Sequence, residues 1–232
     1  MFRILLAGLC ALLPAVAGGR DRAAVLVELF TSEGCSSCPP ADRLLLQLDA
    51  RAIVLSEHVD YWDHEGWKDR FSSPAITARQ SVYGRRFNLD SVYTPEMVVD
   101  GGIEFNGSEG SRAAAEISRA DQRPKAALRL ARTSAGLRVA VEGAPVSADV
   151  FLALAGDSAE TQVAAGENKG RLLHHVAVVE SMRKIGAVKR GAGFRAEIEL
   201  PPDAARQRLV VFLQESGQGR IQGAAMLEPA VR

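Results

Sequence analysis

Cysteine is scarce in this 232-residue chain, which has Cys10, Cys35 and Cys38 and no others. That scarcity excludes a fold stapled by several disulfides. Net charge is absent as well, with 28 basic residues against 28 acidic ones. Without a long-range field there is nothing to draw the chain to nucleic acid or to an anionic membrane, so neither is expected as a partner. No apolar run reaches the ~20 residues of a comfortable membrane helix. Internal repeats and low-complexity linkers are also missing, so the parts of the chain are expected to pack closely.

What is present begins with a targeting pattern. Met1 to Arg3 form a short positive start, and Ile4 to Val16 an apolar run that includes Pro14. Ala15-Val16-Ala17 has the small-x-small shape of a signal-peptidase site, so residues 1–17 read as a signal peptide with Gly18 as the new N-terminus. Cys10 raises a lipoprotein alternative, but Leu9 stands where such a site wants a small residue. Simple export to the periplasm or beyond is the expectation. Cleavage removes Cys10, and the mature chain keeps two cysteines three positions apart.

Ala23–Phe30 is apolar and β-branched and predicts a buried strand. After the turn at residues 31–34 comes Cys35-Ser36-Ser37-Cys38-Pro39-Pro40, and helical spacing of Leu44, Leu45 and Leu48 carries a helix to about Asp49. Prolines lack the backbone N–H, which costs nothing in a first helical turn, so the pair marks the helix start. A second strand follows over Ile53–Val59. A long aromatic connection over residues 60–73 precedes a helix over Pro74–Phe87. Short strands at Glu96–Asp100 and Ile103–Phe105 come next, and then a helix capped by Ser108. This order is that of a thioredoxin-like α/β domain over residues 18–124. Beyond Arg123-Pro124, six short strand candidates alternate with turn-rich stretches such as Gly156-Asp157-Ser158 and Gly166–Gly170. They predict a mostly antiparallel β domain over 125–232, a sandwich or small barrel.

In disulfide exchange the nucleophile is a thiolate, and a helix N-terminus favours an anion. Cys35 is therefore expected to be the more exposed, attacking residue, and Cys38, a turn deeper, to resolve a mixed disulfide. Thr94-Pro95 stands where such folds place a cis-proline beside the cysteines, with an ordinary trans turn as the alternative. Two roles are open for Glu28: a buried acid taking a proton from Cys38, or a group facing a cavity or the second domain. His58, near Glu57 and Asp60, has the choice of stabilising the Cys35 thiolate or holding structure. Glu33 reads as a solvated loop charge, and Trp62 and Trp67 as a groove floor or core. Two cysteines fall short of a closed zinc site, and no cofactor is expected. Copper(I) accepts fewer ligands, for which Cys35, Cys38, His58 and Met97 are candidates. A bridge across two residues adds little chain-entropy stabilisation, but a purely structural bond stays open.

The runs VELFTSEGCSSCPPADRLLLQL, LSEHVDYWDHEGWKDRFSSPAITARQSVYGRRF and SVYTPEMVVDGG together resemble a family of exported bacterial proteins known as a domain of unknown function. GENKGRLLHHVAVV resembles a second region of the same family. The resemblance implies a thioredoxin-like domain with a β-rich C-terminal part, export, and a centre at Cys35 and Cys38 beside Thr94-Pro95. It implies no substrate. The reading is an exported thiol–disulfide oxidoreductase whose partner is a protein thiol or disulfide. The alternatives are a binding module with a structural disulfide and a copper(I) carrier.

Overall fold

The computed structural model describes residues 24–230. The segment read as a signal peptide, residues 1–17, lies outside them. In chain order the elements are β1 (Leu26–Thr31), α1 (Pro39–Leu48), β2 (Ile53–His58), α2 (Pro74–Arg86), β3 (Glu96–Val99), β4 (Ile103–Asn106) and α3 (Gly110–Asp121). Strands then follow one another: β5 (Ala127–Thr133), β6 (Gly136–Glu142), β7 (Ala148–Gln162), β8 (Leu172–Val188), β9 (Phe194–Ile198), β10 (Gln207–Gln214) and β11 (Ile221–Leu227), with a 3-10 turn at Pro202–Arg206 before β10.

The expected fold class needs correction. The molecule is not a thioredoxin-like α/β domain followed by a separate β domain. It is mostly β, and strands from both ends of the chain share one mixed eight-stranded sheet, ordered β11-β10-β7-β8-β2-β1-β3-β4. The seam is a parallel contact of β2 with β8, Ser56 opposite Val178. A strand edge left open at β2 would expose unpaired backbone groups, and β8 covers it. Strand runs and turn residues carry no signal for which distant strand will cover an edge, which is why the reading by successive segments failed.

The helices obey the period-2 alternation of β1. Thr31 bonds to Asp42 of α1, whereas Glu28 bonds to Arg79 of α2. Thus α1 lies over one face of the sheet and α2 over the other. A smaller sheet, β5-β6-β9, packs on the far part of the large one. There Val150, Leu152, Leu209 and Val211 share a core with Leu137 and Val139, while Ala153, Val210 and Phe212 point the other way into the main core. β10 is buried along its whole length, as its unbroken apolar run LVVFL requires.

Three local expectations also change. Gly156-Asp157-Ser158, read as a turn, lies inside β7, because β7 and β8 pair far past the sheet as a long hairpin. Ser108 does not cap α3: Glu109 holds that position, with no side-chain cap bond. β11 went unread because IQGAAML has few β-branched residues. Its Gly223 answers a close approach, since a Cβ there would fall 2.6 Å from the Ala126 carbonyl oxygen.

Two buried cations tie the halves of the chain together. Lys125 donates to Asp100 Oδ2 at 2.5 Å and to the Ala24 carbonyl at 3.1 Å. Arg208 on β10 grips Asp49, at the end of α1, with both terminal nitrogens at 2.6 and 2.9 Å. Its Nε donates to Asp157 at 2.7 Å. Removing one partner of a buried pair strands the other, although Asp49 and Asp157 keep some solvent here. Arg208→Ala is therefore expected to lower the unfolding free energy by about 2 kcal/mol. In urea this is read as a lower midpoint at unchanged slope; an unchanged midpoint would show the clamp to be inert.

Candidate functional site

The turn after β1 delivers the cysteines. Cys35 N–H donates to the Ser32 carbonyl and Cys38 N–H to the Cys35 carbonyl, each at 3.2 Å. Cys38 is the N-cap of α1, with Pro39 and Pro40 at the first helical positions. The two sulfurs are joined in a disulfide. Ser36 and Ser37 are exposed, but both cysteines are 0% exposed, so the expectation that Cys35 is the more exposed of the two is corrected. The Thr94–Pro95 bond is cis, and the Thr94 carbonyl oxygen lies 3.9 Å from Cys35 Sγ. Ser37 Oγ is 3.3 Å from the same sulfur and 3.4 Å from that carbonyl. Trp62 donates its indole N–H to Thr94 Oγ1 at 2.7 Å, which fixes the wall beside the pair.

What covers Cys35 comes from the other end of the chain. The tip of the β7–β8 hairpin, residues 163–171, lies across the turn as a strap. Asn168 is fully buried and donates from Nδ2 to the carbonyls of Glu33 and Cys35, both at 2.8 Å. Arg171 holds Asn168 Oδ1 at 2.8 Å and reaches the Ser36 carbonyl at 3.5 Å. Glu167 Oε2 accepts the Ser36 N–H at 3.2 Å. Gly166, at φ +70, packs against Trp67 where a side chain would not fit. GENKGR reads from the sequence as a turn within a stretch that resembles the family's second region, and nothing there marks its residues as partners of the cysteine turn.

Beneath the strap, on the α1 face, lies a cluster of buried titratable groups. Glu33 is 0% exposed, which corrects its reading as a solvated loop charge. Burial works to raise its pKa, but contacts to His175, Thr161 and Trp67 outweigh this and hold it below the ordinary value. Trp67 Nε1 donates to its carboxylate at 2.8 Å. His175 Nε2 stands 3.6 Å away, an electrostatic contact too long for a hydrogen bond. His58 is held between Ser56 Oγ, 3.1 Å from Nε2, and Asp69 Oδ2, 2.7 Å from Nδ1. The order Ser–His–Asp is that of a hydrolase triad, yet Ser56 is 1% exposed. Burial favours a protonated Asp69, but His58 and the amides of Glu33 and Phe71 prevail and lower its pKa. Asp42, one helical turn beyond Cys38, accepts from Thr31 Oγ1 at 2.8 Å. Burial lifts its carboxyl from 3.8 to about 6, against the pull of His175.

Glu28 is not in this cluster. Its carboxylate faces α2, where Arg79 Nε donates at 2.7 Å and the Tyr83 hydroxyl at 2.6 Å. Gln214 of β10 closes the group, accepting from Arg79 at 3.1 Å. Glu57 shares this face, and burial together with the Glu28 charge pushes its carboxyl well up. Glu96, on the same side, rises through burial to about 7. Of the residues singled out from the sequence, the structure thus brings Cys35, Cys38, Thr94 and Pro95 together. His58 lies in the buried cluster on the same face, and Glu28 lies across the sheet.

His58 spends both ring nitrogens on Ser56 and Asp69, so it does not turn toward the cysteines. Among the described residues no group of three or more His, Cys, Asp and Glu side chains is set to hold a metal ion. No described helix is long and apolar enough to cross a membrane.

A cysteine pair bonded at the head of a helix and walled by a cis-proline turn defines a disulfide-centre protein. The chain belongs to the DUF1223 family, described as proteins of unknown function, whose pattern matches residues 26–214. Its fold is similar to the crystal structure of a protein from Agrobacterium tumefaciens, at 25% identity and TM-score 0.78, covering 90% of this chain and 96% of that one. It is similar in fold also to HBP35 of Porphyromonas gingivalis, at 14% identity and TM-score 0.60, over 93% of this chain and 79% of that one. Among curated proteins none matches.

Asp42 gives a signed prediction. Its folded pKa lies above the ordinary value, so the stability linked to it is full below pH 3.8 and is lost as pH rises through about 6. Asp42→Asn keeps an acceptor for Thr31 and removes the titration. Its stability relative to the parent should grow between about pH 4 and 6 and level off above, by up to ~3 kcal/mol. Urea titrations across that range test this; a difference independent of pH would refute it.

Proposed function

We propose that the protein is an exported thiol–disulfide oxidoreductase. In its reduced form the Cys35 thiolate attacks one sulfur of a partner disulfide, and the first partner thiol leaves. Cys38 then attacks Cys35 Sγ of the mixed disulfide, closing the Cys35–Cys38 bond and releasing the second thiol. In this proposal Asp42, a turn beyond Cys38 on α1 and with its carboxyl raised by burial to about 6, takes the Cys38 proton, the role considered for Glu28 from the sequence. The backbone at Thr94–Pro95 is where the partner chain lies. Export to the periplasm or beyond belongs to the same proposal and rests on the pattern of residues 1–17.

One observation carries the reading: a disulfide at the head of a helix whose intervening Ser36 and Ser37 are open to solvent. A second reading, a binding module with a structural disulfide, draws support from the complete burial of both sulfurs. Trapping separates them. Cys38→Ala, incubated with a disulfide-bonded peptide, is expected to form a covalent adduct that peptide mapping places at Cys35. Failure of the folded variant to form that adduct, at any pH up to about 9 where a free thiol ionises, would favour the structural bond.

A further inference from the structure

Stabilising the Cys35 thiolate requires hydrogen-bond donors, and this helix start supplies few. Pro39 and Pro40 occupy its first two positions and have no N–H to give. The amides of Ala41 and Asp42 are spent on the Cys38 carbonyl, and that of Cys38 on the Cys35 carbonyl. The Ser36 N–H donates to Glu167 of the strap, so a carboxylate sits where a thiolate would find a donor. Ser37 is left, and its hydroxyl divides its attention between Cys35 Sγ and the Thr94 carbonyl.

The surrounding charges come from every element packed on the pair. Glu33 from the turn, Asp42 from α1 and Asp69 from the aromatic connection are acidic and buried. His58 of β2 and His175 of β8 face Asp69 and Glu33. Arg171 and Lys169 are the cations of the strap, and Arg171 is directed at the Ser36 carbonyl and Asn168. The strap is bonded to the backbone of the turn that carries Cys35, Cys35 itself is fully buried, and desolvation disfavours an anion.

We propose that the strap over residues 163–171 biases the Cys35–Cys38 pair toward its disulfide, so that the reduced protein is an electron donor to partner disulfides and not an oxidant of thiols. This deepens the oxidoreductase reading and rests on it. In each turnover two electrons and two protons leave the Cys35 and Cys38 thiols, one partner disulfide becomes two thiols, and the pair becomes a disulfide. An exported dithiol of still lower potential must then return the electrons.

The test uses the full mature chain, the parent and the variants Glu167→Gln and Arg171→Gln. Each is equilibrated in dithiothreitol redox buffers of stepped ratio and the thiols are counted after alkylation. The parent is expected to stay oxidised in glutathione buffers and to need the dithiol for half-reduction. Glu167→Gln should move the equilibrium toward the thiols by about fivefold, corresponding to ~20 mV. Arg171→Gln should move it the other way. Half-reduction of the parent by glutathione at ratios that suit strong oxidants would overturn the proposal, as would an unmoved equilibrium in Glu167→Gln. The trapping experiment reads exchange separately. A trapped adduct with no shift would sink the role of the strap alone, and a shift with no adduct would sink exchange while upholding the bias.

Discussion

The parallel seam between β2 and β8 is the contact on which the rest of the molecule depends. It satisfies the outer edge of β2, and it fixes where the long β7–β8 hairpin points. β8 begins at Leu172, ahead of its pairing at Val178, and the hairpin tip that precedes it lies at the turn that holds Cys35. Asn168 then bonds two carbonyls of that turn. Ala177, held at φ 49 next to the seam, marks where β8 bends to make the contact, a conformation that a residue with a side chain rarely adopts.

The large sheet separates two buried polar layers by nothing more than the alternation of its strands. Thr31, Ser56 and His58 point to α1, while Glu28 and Glu57 point to α2. The α1 layer lies beneath the disulfide and holds acids paired with histidines. On the α2 side, the carboxylates of Glu28 and Glu57 flank the Arg79 guanidinium, and burial keeps Glu57 and Glu96 inclined toward the neutral form. A one-residue slip of β1 would exchange the layers, so strand register and site chemistry are one constraint.

Burial extends to the cysteine pair as well. Both sulfurs are fully buried, two prolines open α1, and the Ser36 N–H is bonded to Glu167 of the strap. The second half of the chain therefore does more than widen the sheet. Its hairpin tip supplies the lid, its Gln214 completes the Arg79 group, and its Arg208 clamps the end of α1.

The amino-acid sequence by itself determined the local elements that rest on short-range physics. The cysteine pair at the head of α1 followed from Pro39-Pro40 and the helix from Pro74 from its spacing, whereas the cis bond at Thr94–Pro95 was expected only by analogy of fold, with a trans turn as the alternative. Most later strands were legible from β-branched runs, although β11 was not, being rich in glycine and alanine. Tertiary structure alone decided that β8 joins β2, that Glu33 is buried, that Glu28 faces Arg79 instead of Cys38, and that residues 163–171 cover the disulfide. Each of these depends on contacts between segments far apart in the chain. A strand's open edge and a carboxylate's charge look the same in sequence whether water or a distant strand will meet them.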